Sequence, residues 1–312
     1  MTRSSVDSAA APGLAVTTSA VASPDGAAQR LADFIVAHAP LLVLTGAGAS
    51  TDSGIPDYRD RDGQWKRAEP MRGQVFLRDA RARQRYWARS FVGWPRIAAA
   101  RPNAVHRALA WLERVGLVHQ LVTQNVDGLH QQGGAQRVLD LHGRLDLVDC
   151  LDCGQRIPRT RMQDLLSAAN PHAVAASGAV SAPDGDVLLD ATAEAAFIVP
   201  PCPRCGGLLK PAVVFFGENV PRPRVQRVFD RLDAARGLLV VGSSLTVFSG
   251  YRFCLHAATQ GTPIALLNRG RTRADNLAAL KLDADCATVL TTTVAELAHD
   301  GRGHLGKDRA GA

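Results

Sequence analysis

The stretch Leu41-Leu42-Val43-Leu44-Thr45-Gly46-Ala47-Gly48-Ala49-Ser50 constrains the chain more than any other. Four consecutive apolar residues without alternation read as a parallel strand buried on both faces. The strand runs into Gly46-Ala47-Gly48, where two glycines let the backbone turn sharply and approach a ligand closely. Amide groups at such a turn make a site for a pyrophosphate. The dinucleotide fingerprint places a third glycine three residues further on. Here that position is Thr51, so a dinucleotide would be held by a variant scheme. The polar run that follows comprises Ser50, Thr51, Asp52, Ser53, Asp57, Tyr58 and Arg59 around Gly54 and Pro56. It reads as a functional loop rather than a short connector.

The same rhythm returns along the chain. Leu31, Phe34 and Ile35 give a helix face before the first strand, and Val105, Leu109 and Leu112 give another after Pro102-Asn103. Leu117 to Gln124 reads as a buried strand ending in Thr123-Gln124-Asn125-Val126-Asp127-Gly128, and Val138 to Leu141 as a short one ending at His142-Gly143. Ala212-Val213-Val214-Phe215-Phe216-Gly217-Glu218, Leu238 to Ser244 and Ile264 to Asn268 repeat the pattern of apolar run and polar tip, and Ala287 to Leu290 reads as the strand closing the sheet. Residues 60–101 read as helical and Arg-rich, broken at Gly93 and Pro95. Strands alternating with helices predict an α/β fold built on a doubly wound parallel sheet, in which polar strand tips line the ligand crevice.

Charge and cysteine usage narrow the class. No apolar run in the 312 residues approaches the roughly 20 needed to span a membrane. The net charge of +7 is spread among interspersed acids, which argues against a dedicated nucleic-acid surface. Residues 1–27 are rich in Ser, Ala, Thr and Pro and read as a disordered leader, with a mitochondrial presequence as the alternative, although Arg3 is the only basic residue before Arg30. No secretory signal is present, so a cytoplasmic chain is expected.

In that setting, paired cysteines suggest metal rather than disulfides. Cys150/Cys153 and Cys202/Cys205 form two CxxC knuckles. Four thiolates suit one tetrahedral zinc with no position left for water, hence a structural ion. His142, one of nine histidines, would by itself pass for a surface or satisfied core residue. Its place at a strand tip, with Gln124-Asn125-Val126-Asp127 at another, suits a neutral imidazole acting as general base on a hydroxyl.

Taken in order, Gly46-Ala47-Gly48-Ala49-Ser50, Gly54-Ile55-Pro56-Asp57-Tyr58-Arg59, Thr123 to Asp127, Leu141-His142-Gly143, the two CxxC pairs, Val214 to Glu218, Gly242-Ser243-Ser244-Leu245 and Asn268 resemble the sirtuin family over roughly residues 30–295. Tyr86-Trp87-Ala88-Arg89, Pro183-Asp184-Gly185-Asp186, Val247 to Phe253 and Cys286 look like its class II, sirtuin 4-like branch. The resemblance implies a Rossmann-type domain from segments 28–59, 102–143 and 211–299, a helical module at 60–101, a zinc module at 144–210 and a loose tail at 300–312. It implies an NAD-dependent protein-lysine deacylase that consumes NAD, acts on acyl-lysine proteins and releases nicotinamide and O-acyl-ADP-ribose.

By the same resemblance, Gly46, Ala47, Gly48, Ser50, Asp57, Tyr58 and Arg59 would cradle the phosphates and cover the nicotinamide end. Gln124 and Asn125 would hold the nicotinamide ribose and Asp127 the carboxamide, with Val126 also among the cofactor-binding residues. Gly242, Ser243, Ser244, Asn268, Arg269, Gly270 and Cys286 would serve the adenosine half. His142 and Asn125 would be the catalytic pair, and Val214 to Gly217 with Leu245 to Ser249 would flank an extended peptide. Ser249-Gly250 departs from the proline-containing loop of many sirtuins. The competing readings are a mono-ADP-ribosyltransferase using the same site and a non-catalytic NAD-binding or zinc-ribbon module. Retention of His142 with Asn125-Val126-Asp127 disfavours the latter. Tyr86 and Arg89, three apart on one helix face, match the pair by which class III sirtuins accept acidic acyl groups. Their setting among Arg81, Arg83 and Arg85 favours a surface arginine beside an inward tyrosine.

Overall fold

In chain order the elements begin with helix α1 (Pro24–His38), strand β1 (Leu41–Thr45), α2 (Gly73–Arg78), α3 (Ala80–Ala99), α4 (Ala104–Arg114), β2 (Val118–Thr123) and α5 (Leu129–Gln132). There follow β3 (Val138–Asp140), β4 (Gly143–Cys150), β5 (Arg156–Pro158), α6 (Arg159–Ala169), α7 (Ala191–Ala196) and β6 (Leu209–Val213). The last are α8 (Arg222–Asp233), β7 (Gly237–Val241), α9 (Phe248–Thr259), β8 (Ile264–Leu267), β9 (Leu280–Leu282) and α10 (Cys286–His299). The structure is a computed structural model and describes residues 24–58, 66, 70–173, 187 and 189–299. Arg59, Pro183-Asp184-Gly185-Asp186, nearly all of the expected leader and the expected tail lie outside the described residues.

Six strands form one parallel sheet in the order β3-β2-β1-β7-β8-β9. Alternation of side chains along β1 builds the layers. Leu41 and Val43 pack with α1, α4 and α10, whereas Leu42 and Leu44 pack with residues of α8 and α9 on the other face. Every residue of β1 and β7 is buried, as a parallel sheet covered by helices on both sides requires. The chain order reverses between β1 and β7, and ligands of doubly wound sheets bind at that switch point.

Three expectations need correction. Ala287 to Leu290 is helical, not a strand, and Leu280–Leu282 closes the sheet instead. The helix is started by Asp285, whose Oδ1 accepts from the backbone N–H of Thr288 at 2.8 Å and from its hydroxyl at 2.9 Å. Val289, Leu290, Thr293 and Leu297 then recur on one buried face. Second, α3 runs unbroken through Gly93 and Pro95. Pro95 has no N–H to give the Phe91 carbonyl, and the Gln163 side chain of α6 supplies the missing donor at 3.0 Å. Third, the run from Ala212 does not rejoin the parallel sheet. Its first residues belong to β6, which pairs antiparallel with β4 in a second sheet of order β5-β4-β6.

Arg159, the first residue of α6, is 2% exposed and reaches α3. Its guanidinium sits over Trp87 and Trp94 and donates to Ser90 and Gln163. With no carboxylate in that set, burial lowers its affinity for a proton to a pKa of about 10. This contact ties α3 to α6, the helix that follows β5 of the small sheet.

Candidate active site

Strand register alone assembles the cleft. Thr45 pairs with Thr123 on one side and Val241 on the other, Val241 with Leu267, and Thr123 with Asp140. The residues one step beyond each strand, Gly46, Gln124, Gly242, Asn268 and Leu141, therefore emerge in one row. Backbone bonds continue the ladder into it, Gln124 N–H to Thr45 O at 2.9 Å and Leu141 N–H to Thr123 O at 2.8 Å. His142 follows directly and lines the same cleft as Gly46, Gly48, Asn125 and Ser243.

The cleft floor is two backbone turns pressed together. The Gly48 N–H donates to Gly242 O at 2.9 Å. A Cβ on Gly46 would stand 2.7 Å from that of Ser243, and one on Gly48 2.9 Å from Gly242 O. Gly242 itself has φ +61°, and a Cβ there would meet Ala49 N at 2.5 Å. Larger residues at these positions would wedge the β1 and β7 turns apart, which is the physical reason for the glycines first seen in the sequence.

A polar cluster lies beside this floor. The Ser50 hydroxyl donates to Asp127 Oδ2 at 2.7 Å and accepts from Asn125 Nδ2 at 3.0 Å. Asp127 Oδ1 also accepts the Leu129 N–H at 2.9 Å. Burial pushes the Asp127 carboxyl up, and these hydrogen bonds oppose it. Beneath, His130 Nε2 lies 2.9 Å from Thr45 Oγ1, which donates to Thr123 Oγ1 at 2.8 Å; the latter accepts the Asn125 N–H at 3.1 Å. Because the Thr45 proton is given to Thr123, the His130 ring donates to Thr45. The backbone of Asn125 thus rests on a buried chain of hydroxyls.

His142 is held at both ring nitrogens. Nδ1 is 2.9 Å from the Gln124 carbonyl, and Nε2 is 2.8 Å from Ser249 Oγ. A carbonyl only accepts, so Nδ1 carries the proton and Nε2 presents its lone pair. Burial lowers the pKa to about 4, aided by Arg224 and Arg252 and opposed by the Gln124 bond. At neutral pH the ring is neutral, with the Nε2 lone pair accepting from Ser249.

His106 and His130 are buried neutral as well: burial takes His106 to about 4 and His130 well below its usual range. The three rings bind protons in the unfolded chain near 6.5 but not in the folded one. Stability is therefore expected to fall as pH drops from 6.5 toward 4, each ring contributing a slope approaching ~1.4 kcal/mol per pH unit. Asp127 and Asp140, whose carboxyls burial raises from 3.8, act with opposite sign at the acid end, so the effect is clearest between about pH 6.5 and 5. Thermal melts across that interval check it. A melting temperature independent of pH there would mean that the rings are already charged in the folded chain.

The remaining predicted residues divide. Ala47, Asp57, Tyr58, Val126, Ser244, Asn268 and Arg269 line the cleft with those above. Asp57 is paired with Lys66. Gly270 and Cys286 stand behind the lining: the Gly270 N–H donates to Asp283, and Cys286 Sγ lies 3.5 Å from the Leu267 carbonyl with its thiol pushed by burial up to about 12. Tyr86 is 4% exposed and packs against Phe76, Trp87 and Phe215, while Arg89 Nε meets Glu194 Oε1 at 2.5 Å. Arg89 is thus engaged with α7.

Sequence reasoning missed His106. It sits three residues after the Asn103 cap of α4, completes a capping box with it, and brings Nε2 within 3.4 Å of Ser50 Oγ. An Asn cap followed three positions later by a polar residue on an otherwise apolar face was the available signal.

The two CxxC knuckles converge at the far end of β4. Each closes in the same way, with Gly154 N–H donating to Cys150 O at 3.0 Å and Gly206 N–H to Cys202 O at 2.8 Å. Both glycines adopt the left-handed conformation that the turn demands, φ +70° and +75°. The four sulfurs lie within 4.8 Å of one another, with Cys150–Cys205 at 3.5 Å and Cys153–Cys202 at 3.9 Å. Zinc–sulfur bonds of about 2.3 Å in a tetrahedron place sulfurs about 3.8 Å apart, so the donor set fits one structural zinc.

The model of the Sir2 family matches residues 46–249, the span from the glycine turn to Ser249. The chain belongs to the Sir2 family. This Sir2 chain is 61% identical over 262 residues to an NAD-dependent protein deacetylase of Xanthomonas axonopodis pv. citri, covering 84% of this chain and 89% of that protein. It is 56% identical over 266 residues to one of Bordetella bronchiseptica, covering 85% and 97%. Its fold is similar to that of a Sir2 point variant solved with a deacetylated p53 peptide and 3'-O-acetyl ADP ribose. The match has 27% identity and a TM-score of 0.68 and covers 88% of this chain and 98% of that one.

Proposed function

We propose that this Sir2 chain is an NAD-dependent protein-lysine deacylase in which His142 is the general base. The observation that carries the assignment is the pinned tautomer of a ring that lines the cleft, with Nδ1–H on the Gln124 carbonyl and the Nε2 lone pair left as the proton acceptor. The family membership and the curated deacetylase relatives support the reaction class. The cleft suits NAD: a floor without side chains at Gly46, Gly48 and Gly242, a buried amide-binding cluster at Ser50 and Asp127, and Arg269 and Arg271 for phosphate charge.

Bound NAD supplies a ribose carrying a cationic nicotinamide leaving group, whose departure opens the ribose carbon to the oxygen of the lysine amide. Asp127, held by Ser50, orients the carboxamide. Gln124 and Asn125 hold the nicotinamide ribose, and the turns at Gly46–Gly48 and Gly242–Ser244 receive the rest of the dinucleotide with Asn268 and Arg269. Gly270 and Cys286 shape the adenosine end from behind. His142 Nε2 accepts the proton of a ribose hydroxyl, so that this oxygen attacks the acyl carbon. Positioning, water exclusion and one base account for the chemistry asked of the protein. Cys150, Cys153, Cys202 and Cys205 would hold zinc as a structural clamp remote from the reaction.

Val247 lines the cleft with Val214, Phe215 and Phe216, and the next residue, Phe248, is 52% exposed; an extended substrate would lie along these residues. A cytoplasmic setting keeps the four cysteines reduced for metal. The class II reading rests on Tyr86 to Arg89, Val247 to Phe253 and Cys286. Because Arg89 is engaged by Glu194, a neutral acyl group is the better substrate. The test is a panel of acetyl, longer neutral acyl and glutaryl lysine peptides, with and without NAD, on wild type and Arg89→Met. Deacylation should require NAD, favour neutral acyl groups and keep the same ranking in the variant. A glutaryl preference abolished by Arg89→Met would overturn the acyl assignment. ADP-ribose attached to protein, with the acyl peptide intact, would instead identify a transferase.

A further inference from the structure

Among the described residues, Ser249 is the one in contact with the lone pair of His142, and none of the chemical steps described uses its hydroxyl. Its Oγ is 2.8 Å from Nε2. Nδ1 is committed to the Gln124 carbonyl, so Nε2 can only accept, and the Ser249 hydroxyl donates. The next residue explains how α9 comes close enough. Gly250 is buried, and a Cβ on it would stand 2.6 Å from Gln124 Nε2. The Ser249-Gly250 step therefore seats the first turn of α9 on the residue that also anchors the imidazole. The helix makes no side-chain cap of its own at Val247.

We propose that Ser249 is a positioning residue. Its hydroxyl holds the Nε2 lone pair of His142 toward the cleft and is replaced there by the ribose hydroxyl when substrate binds. An imidazole nitrogen has one lone pair, so the two hydroxyls compete for it and Ser249 keeps its own proton throughout. Donation to Nε2 favours the neutral ring. The charged groups facing the ring are Arg224 of α8, which donates to Leu141 O at 3.0 Å, and Arg252 of α9, stacked over Phe248; both also favour it. The nearby acids are engaged elsewhere, Asp127 with Ser50 and Glu218 of the loop after β6 with Lys210 at 3.1 Å.

This inference rests on His142 as the base, but its test needs no turnover. Nitrogen NMR of the folded, zinc-loaded chain at pH 5 reads the protonated fraction of His142. Ser249→Ala should raise that fraction about three- to five-fold, the loss of one hydrogen bond to the neutral form. Ser249→Thr, which keeps the hydroxyl, should stay near wild type. The acid limb of kcat/KM should move upward in the alanine variant alone, by about half to one pH unit. An unmoved His142 titration in Ser249→Ala would overturn the proposal, and so would an equal shift in both variants, which would assign the effect to packing. Undiminished activity in His142→Ala would instead remove the base assignment, and the NMR titration would still decide the Ser249–His142 bond.

Discussion

His142→Ala lowers turnover of an acyl-lysine peptide by about 10²–10⁴-fold, the usual cost of losing a positioned general base. The fold should survive. The side chain's own bonds are only two, to the Gln124 carbonyl and the Ser249 hydroxyl. The backbone role of residue 142, accepting the Val214 N–H at 2.8 Å, is kept by alanine. Zinc content should be unchanged, because Cys150 lies at the opposite end of β4. Nicotinamide release, which precedes the base's step, should fall far less than formation of the deacylated peptide. The check is parallel measurement of both products with melting temperature and metal content. Wild-type turnover in the variant would contradict the assigned role.

Cys202→Ser has the second large effect, and it is a lesion of folding. Cys202 is 3% exposed and joins the cluster that holds Cys150, Leu209 and Phe197. Its sulfur is one of four that suit a single zinc. Structural zinc contributes folding free energy outright, of order 10–16 kcal/mol in isolated zinc-finger peptides. Two strands carry the consequence to the cleft. β4 runs from Gly143, next to His142, to Cys150, and β6 runs from just after Cys205 to Val213, next to the cleft loop. Without metal the far ends of both strands lose their tether. The variant should therefore lack zinc and melt early or aggregate, which metal analysis and thermal melts would show. A stable, metal-loaded variant that has lost activity alone would give the cysteines a different role.

Much of this was legible in the chain because buried parallel strands write themselves as continuous apolar runs. Leu41–Leu44, Leu238–Val241 and Ile264–Leu267 are such runs, and register then brings their polar tips together. The CxxC pairs were equally plain, since four cysteines at that spacing have few other uses. What failed depended on contacts distant in sequence. Ala287 to Leu290 is a short apolar run that suits strand or helix, and the cap at Asp285 decides it. Pro95 reads as a helix breaker until Gln163 of α6 reaches the carbonyl that proline leaves free. His106 and Ser249 meet their partners 56 and 107 positions away in the chain. No local pattern carries such pairings.

In the proposed function, one cleft couples NAD consumption to lysine deacylation through His142. The most direct measurement is the simultaneous quantification, by mass spectrometry, of nicotinamide, deacylated peptide and acyl-ADP-ribose from wild type supplied with NAD and an acetyl-lysine peptide. The three should accumulate in equal amounts and all depend on the peptide. Nicotinamide released without the other two, or deacylation that proceeds without NAD, would contradict it.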